Sequence, residues 1–201
     1  MITHAFFDVG GVLGSSGWGS EPRARAVERF GLDAADFDRC HREVVGPWEE
    51  GRLSLDEYLD ATVFGAPRPF SRAEFTAFML AQSWPYPETI ALARALGATG
   101  RLRLMTLNNE SAELNAHRLK LFGLAPIFAA FFSSCWLGAA KPSRRIYELA
   151  LAMAQADPAH SVFIDDREQN LAPARALRMH VVRFTDAEAL RHELAALGVA
   201  P

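Results

Sequence analysis

The stretch Ala5-Phe6-Phe7-Asp8-Val9-Gly10-Gly11-Val12-Leu13 most limits the folds open to this chain. Its aromatic and β-branched run is too short for a helix core and reads as a buried strand that delivers one carboxylate, Asp8, before two glycines. Gly10 and Gly11 allow a sharp turn and let another group come close to the backbone. Alone, an aspartate followed by glycines after a strand is ordinary turn chemistry. It becomes a site only if other strands also end in polar residues, because open α/β sheets gather ligands at the carboxyl ends of their strands.

The chain after Leu13 first turns helical. A small, flexible segment from Gly14 to Ser20 leads into a helix that carries Val27 and Phe30 and stops at Gly31. Asp33 starts a second helix with Phe37, Cys40, Val44 and Trp48 at helical spacing, and Gly46-Pro47 predicts a kink or an early end to it. Two capping boxes follow, Ser54 with Glu57 and Ser71 with Glu74. Residues from about 15 to 85 therefore read as four helices inserted between a first strand and a later core. From Glu88 onward helices alternate with strands, at Leu102 to Leu107, Ala130 to Ser134, Ser161 to Ile164 and His180 to Phe184. The expected architecture is a doubly wound, mainly parallel, Rossmann-like α/β sheet over residues 1–14 and 86–201, with an α-helical insertion at 15–85.

Interior strands of the alternating region lead to polar groups: Thr106 with Asn108 and Asn109, Lys141-Pro142 beyond Ser134, and Asp165-Asp166. Parallel strands would line up Asp8, Thr106, Lys141 and Asp166 along one edge. Carboxylates beside a carbonyl-exposing glycine loop suit Mg²⁺, a hard cation that takes oxygen ligands and is completed by substrate phosphate. A hydroxyl and an ammonium suit the remaining phosphate oxygens. An aspartate in line with phosphorus can attack it, giving an aspartyl phosphate that water cleaves.

These four segments, Asp8-Val9-Gly10-Gly11-Val12-Leu13, Thr106, Lys141-Pro142 and Phe163 to Asn170, taken in order resemble the four motifs of the haloacid dehalogenase-like hydrolase superfamily. The helical stretch after the first motif resembles that superfamily's C1 cap. Lys141 followed by Ser143, Arg145, Ile146 and Tyr147 is similar to the subgroup of bacterial sugar phosphatases and the phosphatase domain of epoxide hydrolases. The resemblance implies that Asp8 is the nucleophile and a Mg²⁺ ligand, Gly10 a ligand through its carbonyl, and Asp166 the main second carboxylate, supported by Asp165. It implies that Thr106 binds the transferring phosphoryl group and that Lys141 neutralises it and holds Asp8. Asn108, Asn109 and Arg144 flank these positions as candidate substrate contacts.

Several residues depart from the family pattern. Gly10 stands where its phosphatases carry the aspartate that protonates the leaving group, help that is worth about 10²- to 10⁴-fold. Carbon–halogen dehalogenases of the superfamily lack that aspartate too, but manage without Mg²⁺, which the Asp165-Asp166 pair argues for. A relative that binds a phosphorylated ligand without turnover is the non-enzymatic alternative. Arg178 replaces a glycine and reads as a local capping difference, and Asn170 replaces a possible third carboxylate.

Composition narrows the partners. A chain of 201 residues, half of them apolar, has enough core for one domain with a small companion, and its net charge of -3 provides no basic surplus for nucleic acid or anionic membrane. No apolar run approaches the ~18 residues of a membrane span, and no export signal is visible. Cys40 and Cys135, far apart, fit a reducing, cytoplasmic setting. The expected partner is a small phosphorylated metabolite, and the expected assembly a monomer or homodimer. The six histidines show no ligand spacing for zinc, Cys135 reads as packing, and Ser133 and Ser134 lack the histidine of a triad. Trp18, Trp48, Glu49 and Glu50 lie in the insertion, where they could face the site.

Overall fold

In the computed structural model, which describes residues 1–201, the run before Asp8 is strand β1 (His4–Phe7). Four helices follow without a strand: α1 (Ser20–Phe30), α2 (Ala34–Glu49), α3 (Leu55–Thr62) and α4 (Arg72–Leu80). The alternating half then gives α5 (Pro87–Ala98), β2 (Arg103–Asn108), α6 (Ala112–Leu121), β3 (Ala130–Ser133), a short α7 (Ser134–Leu137) and α8 (Arg144–Ala154). It closes with β4 (Ser161–Asp165), α9 (Glu168–Ala176), β5 (His180–Arg183) and α10 (Ala187–Ala196). No helix is long and apolar enough to cross a membrane.

The five strands form one all-parallel sheet in the order β3-β2-β1-β4-β5. Phe7 lies level with Thr106 on one side and Ile164 on the other, so the three strand ends that carry the polar residues finish side by side. The chain runs outward from β1 through β2 to β3 and then resumes at β4 on the other side of β1. That reversal opens a crevice at the carboxyl ends of β1 and β4, where such sheets bind ligands.

Alternate strand residues feed opposite faces. Ala5, Phe7, Leu104, Val162 and Ile164 join Ile90 and Leu96 of α5 and Leu190 and Leu194 of α10. Phe6, Met105, Leu107 and Phe163 join Ile146 and Tyr147 of α8 and Leu171 and Ala174 of α9. With both faces covered, the strands have to read as continuous apolar runs. The inserted helices bury a cluster of their own around Trp18, Trp48, Tyr58, Leu59 and Phe75, with Leu114 of α6 as a contribution from the sheet's flanking helices. Both capping boxes form. The chain enters and leaves this segment at one point: Gly14 bridges Pro85, Ser15 N–H donates to the Trp84 carbonyl at 2.9 Å, and Tyr86 N–H donates to Leu13 at 2.9 Å.

Two local expectations change. Helix α2 does not end early at Gly46-Pro47 but runs to Glu49. Proline removes the one bond its N–H would have made to Glu43, on an exposed turn where water can replace it, and the ladder resumes with Glu50 N–H on the Gly46 carbonyl at 3.0 Å. Ser134 begins α7 rather than ending β3, because its hydroxyl is drawn to the Glu49 carbonyl at 2.6 Å and accepts from Glu110 N–H at 3.0 Å.

Candidate active site

Asp8 extends the β1 ladder by one residue, its N–H donating to Ile164 at 2.9 Å, and is buried. Its Oδ1 accepts from Val9 N–H at 2.7 Å and from Lys141 Nζ at 2.9 Å. Lys141, itself buried, also reaches Asp165 Oδ2 at 2.6 Å. Burial alone would lower the lysine's pKa, but Asp8 and Asp165 outweigh it and raise it, so the ammonium persists. Burial pushes Asp8 up to about 7, with Lys141 pulling down and Asp165 adding to the rise.

Lys141 arrives on a loop, which needs an external clamp. Asn109 supplies it: its Nδ2 donates to the Lys141 carbonyl and its Oδ1 accepts from Lys141 N–H, both at 2.8 Å. Asn109 therefore grips the lysine's backbone. Asn108 does different work, donating to Asn115 Oδ1 at 3.1 Å and accepting from Ser133 Oγ at 3.0 Å behind the strand ends. Arg144 pairs with Glu148 on the surface at 2.7 Å. Of these three candidate substrate contacts, only Asn109 lines the cavity above Asp8.

The adjacent aspartates after β4 are held differently. Asp165 is wholly buried, and besides Lys141 its oxygens accept from Arg167 N–H at 2.8 Å and from Asn170 Nδ2 at 3.0 Å. Asp166 is half-exposed, yet its Oδ1 is buried without a hydrogen-bond partner. Burial, then the neighbouring Asp165 charge, raises its pKa. Gly11, at φ +86°, makes room for it: a Cβ there would lie 2.7 Å from the Asp166 carboxyl carbon. Thr106 Oγ1 is likewise buried and unpartnered, and the Gly10 carbonyl accepts no backbone hydrogen bond.

Carboxylate oxygens of Asp8, Asp165 and Asp166 lie within 4.8 Å of one another. Three carboxylates against one ammonium leave an excess of two negative charges when all are ionised, in a site with an unsatisfied oxygen, which is a set of hard donors suited to a divalent cation.

Asp8, Gly10 and Lys141, but neither Asp165 nor Asp166, line a cavity of about 340 Å³, whose apolar lining is confined to Trp18, Val45 and Trp48. The inserted helices bring Arg23, His41 and Glu49 to it, and the sheet side brings Glu110, Arg118 and Arg167. Arg118 and Glu110 are a buried pair at 3.1 Å, and Arg118 also donates to the Ser15 carbonyl, tying α6 to the entry of the helical segment. His41 Nδ1 shares a 2.9 Å hydrogen bond with the Tyr58 hydroxyl, which accepts from Trp18 Nε1 at 2.8 Å. Burial, then the Arg23 charge, lowers the His41 pKa to about 4, so it is neutral. Arg23, His41, Glu110 and Arg118 were not legible as site residues. One signal was available: His41, Val45, Trp48 and Glu49 fall at i, i+4, i+7 and i+8, on one face of α2. Glu50 turns away to Arg52 at 2.7 Å. Cys40 and Cys135 are unpaired and half-buried, and burial pushes the Cys135 thiol up to about 11, away from nucleophile chemistry.

Residues 2–178 match the family model described as haloacid dehalogenase-like hydrolase. The bifunctional epoxide hydrolase 2 of Sus scrofa is 34% identical over 86 residues, 43% of this chain, and that of Rattus norvegicus 31% over 132 residues, 64% of it. These matches span only 16% and 24% of those relatives' lengths. A HAD-like family hydrolase from Porphyromonas gingivalis superposes with a TM-score of 0.80 at 22% identity, covering 100% of both chains. A HAD family enzyme from Bacteroides thetaiotaomicron, solved with magnesium and inorganic phosphate, gives 0.74 at 20% identity over 92% of this chain and 95% of that one. The L-2-haloacid dehalogenase of Xanthobacter autotrophicus with chloropropionic acid covalently bound gives 0.63 at 20%, over 100% and 85%. At these identities the structures share the fold.

Proposed function

Because the chain belongs to the haloacid dehalogenase-like hydrolase family, we propose that it hydrolyses small phosphorylated metabolites, a sugar phosphate among them, with Mg²⁺ and an aspartyl phosphate on Asp8. The observation that carries this is the charge balance at the strand ends: three clustered carboxylates, one ammonium, and an Asp166 oxygen with nothing to satisfy it. Asp8, Asp166 and the Gly10 carbonyl would hold the cation, while Asp165, already accepting from Lys141, Asn170 and Arg167, positions the lysine. When bound, the cation supplies charge stabilisation of the transferring phosphoryl oxygens.

The chain's own groups do the rest. Asp8 Oδ1 is held by Val9 and Lys141, which leaves Oδ2 as the oxygen that attacks phosphorus. The unpartnered Thr106 hydroxyl donates to a phosphoryl oxygen, and Lys141 neutralises another. Helices α1–α4, residues 15–85, act as a cap over the site. The cavity, near the lower end of ligand-site sizes, and its polar walls favour a small hydroxyl-bearing leaving group over a phosphoprotein. The magnesium and phosphate bound by the B. thetaiotaomicron enzyme support the same chemistry. Free thiols and the lack of a membrane-length apolar helix support a cytoplasmic, non-membrane setting.

The test is phosphate release from a panel of phosphorylated metabolites with Mg²⁺, beside Asp8→Asn and chelator controls. Release lost in both controls is expected. Halide release from 2-haloacids that survives chelator would replace this reading with a dehalogenase, and tight phosphate-ester binding without turnover would replace it with a binding protein.

A further inference from the structure

Gly10 leaves the site without an acid at the position where related phosphatases carry one, and steric crowding is not the reason. A Cβ on Gly10 would meet nothing closer than 3.7 Å, from Ser16 Cα, and its φ is not left-handed. An alkoxide leaving group still needs a proton, so its source has to be another wall of the cavity.

Three acidic side chains line that cavity: Asp8, Glu110 and Glu49. Asp8 is the nucleophile. Glu110 is bound to Arg118 at 3.1 Å and accepts from Ser111 N–H at 3.2 Å. His41 is tied to Tyr58 and, with its pKa lowered to about 4, is not an imidazolium at neutral pH. Glu49 differs: its carboxyl makes no hydrogen bond or ion pair, although its main chain is fixed by the 2.6 Å bond from Ser134 Oγ to its carbonyl. Gly51, two residues on, packs against the Cys135 backbone. The last turn of α2 is thereby pinned to α7, with Glu49 in the lining of the same cavity as Asp8 and Lys141.

We propose that Glu49, delivered from the inserted helices, is the general acid that protonates the leaving oxygen and then the general base for the second half-reaction. This rests on the phosphomonoesterase reading of the site. Asp8 Oδ2 forms a bond to phosphorus as the ester P–O bond breaks, and the departing oxygen takes the Glu49 proton, releasing an alcohol. The Glu49 carboxylate then takes a proton from water as its oxygen bonds to phosphorus. The bond to Asp8 breaks, phosphate leaves, and both carboxyls return to their starting states. The surroundings suit both roles: burial, then the like charge of Glu110, lifts Glu49 to about 7, opposed by Arg167, Lys141 and Arg23. Cys135 on the adjoining α7 is a neutral thiol at that pH.

The experiment compares kcat/KM of wild type and Glu49→Gln on p-nitrophenyl phosphate, whose phenolate departs without a proton, and on three alkyl esters, glucose 6-phosphate, ribose 5-phosphate and glycerol 3-phosphate. Because kcat/KM reports events up to the first irreversible step, it isolates leaving-group departure. Glu49→Gln is expected to lower the alkyl-ester values by about 10²-fold or more, with the aryl-ester value changed by less than about 3-fold, which also shows the variant is folded. Equal loss on both ester types would overturn the proposal, as would unchanged alkyl-ester hydrolysis. Wild-type turnover of the aryl ester alone would overturn it too, since no acid would then be operating, while turnover of neither would mean that the phosphatase reading itself is at fault.

Discussion

Substituting Gly51 by alanine tests whether the join between α2 and α7 sets the geometry of the site. Gly51 sits at φ +71°, and an added methyl would lie 3.0 Å from the Cys135 carbonyl carbon and closer still to its oxygen. Both are backbone atoms, so no rotamer change relieves the overlap, and the two segments must separate by on the order of 1 Å, an overpacking cost of about 1–3 kcal/mol. The left-handed backbone adds about 1–2 kcal/mol for any residue with a Cβ. Gly31 provides the control, because its φ is +60° and an added methyl would have nothing within 4 Å of it, leaving only the backbone cost. For a chain of 201 residues each kcal/mol lowers Tm by about 2–4 °C. Gly31→Ala should therefore melt about 2–8 °C below wild type and Gly51→Ala about 4–20 °C below. Activity should separate the two more sharply. A displacement of ~1 Å at a catalytic group can cost about 10²-fold, so kcat/KM on alkyl phosphates should fall that far in Gly51→Ala and stay at the wild-type value in Gly31→Ala. Thermal melts and phosphate release at a temperature where both variants are folded make the comparison. Matching values for the two variants, in both melting and activity, would refute the reasoning.

Asn109→Ala removes both 2.8 Å clamps on the Lys141 backbone; urea unfolding should show a loss of about 1–3 kcal/mol, and steady-state assays a lower kcat rather than a raised KM. Arg178 holds a left-handed φ of 67° after α9, so Arg178→Gly should raise stability by up to about 1 kcal/mol with kcat/KM unchanged, read by the same unfolding curves. His41 has a folded pKa of about 4 against an ordinary 6.5, so below pH 6.5 the unfolded chain takes up a proton that the folded chain refuses. Its contribution to stability is complete above that pH and declines as pH falls from 6.5 toward 4. His41→Asn should flatten the slope of Tm against pH across that window, whatever it does to the absolute Tm.

Much of the frame was legible because it is written in local patterns. The four helices between β1 and α5 follow from their caps and periodicity, as with Ser54 and Glu57 or Ser71 and Glu74, where hydroxyl and carboxylate satisfy each other's helix end within four residues. The five strands are short apolar runs that can only be buried between helices, and a parallel sheet sends each of their carboxyl ends to the same edge. That is why Asp8, Thr106, Lys141 and Asp166 could be grouped from the chain alone. The end of β3 departs from its local pattern because long-range partners prevailed, Glu49 and Glu110 drawing Ser134 out of the strand.

The amino-acid sequence thus determined, by itself, the α/β class, the order of the elements and the residue types at the strand ends. Tertiary structure alone decided how those residues divide their work. Asp165 and Asp166 are adjacent and chemically identical, yet one faces the Lys141 ammonium and Asn170 while the other sits over Gly11 with an oxygen unsatisfied. Asn108 and Asn109 divide in the same way, one into the interior and one onto the lysine loop. Glu49 could acquire its environment only when the end of α2 was joined to α7, because burial and the field of Glu110, Arg167 and Lys141 come from segments far away in the chain. Local periodicity encodes which face of an element is apolar; a carboxyl's proton affinity and its free lone pairs depend on what the fold places opposite it.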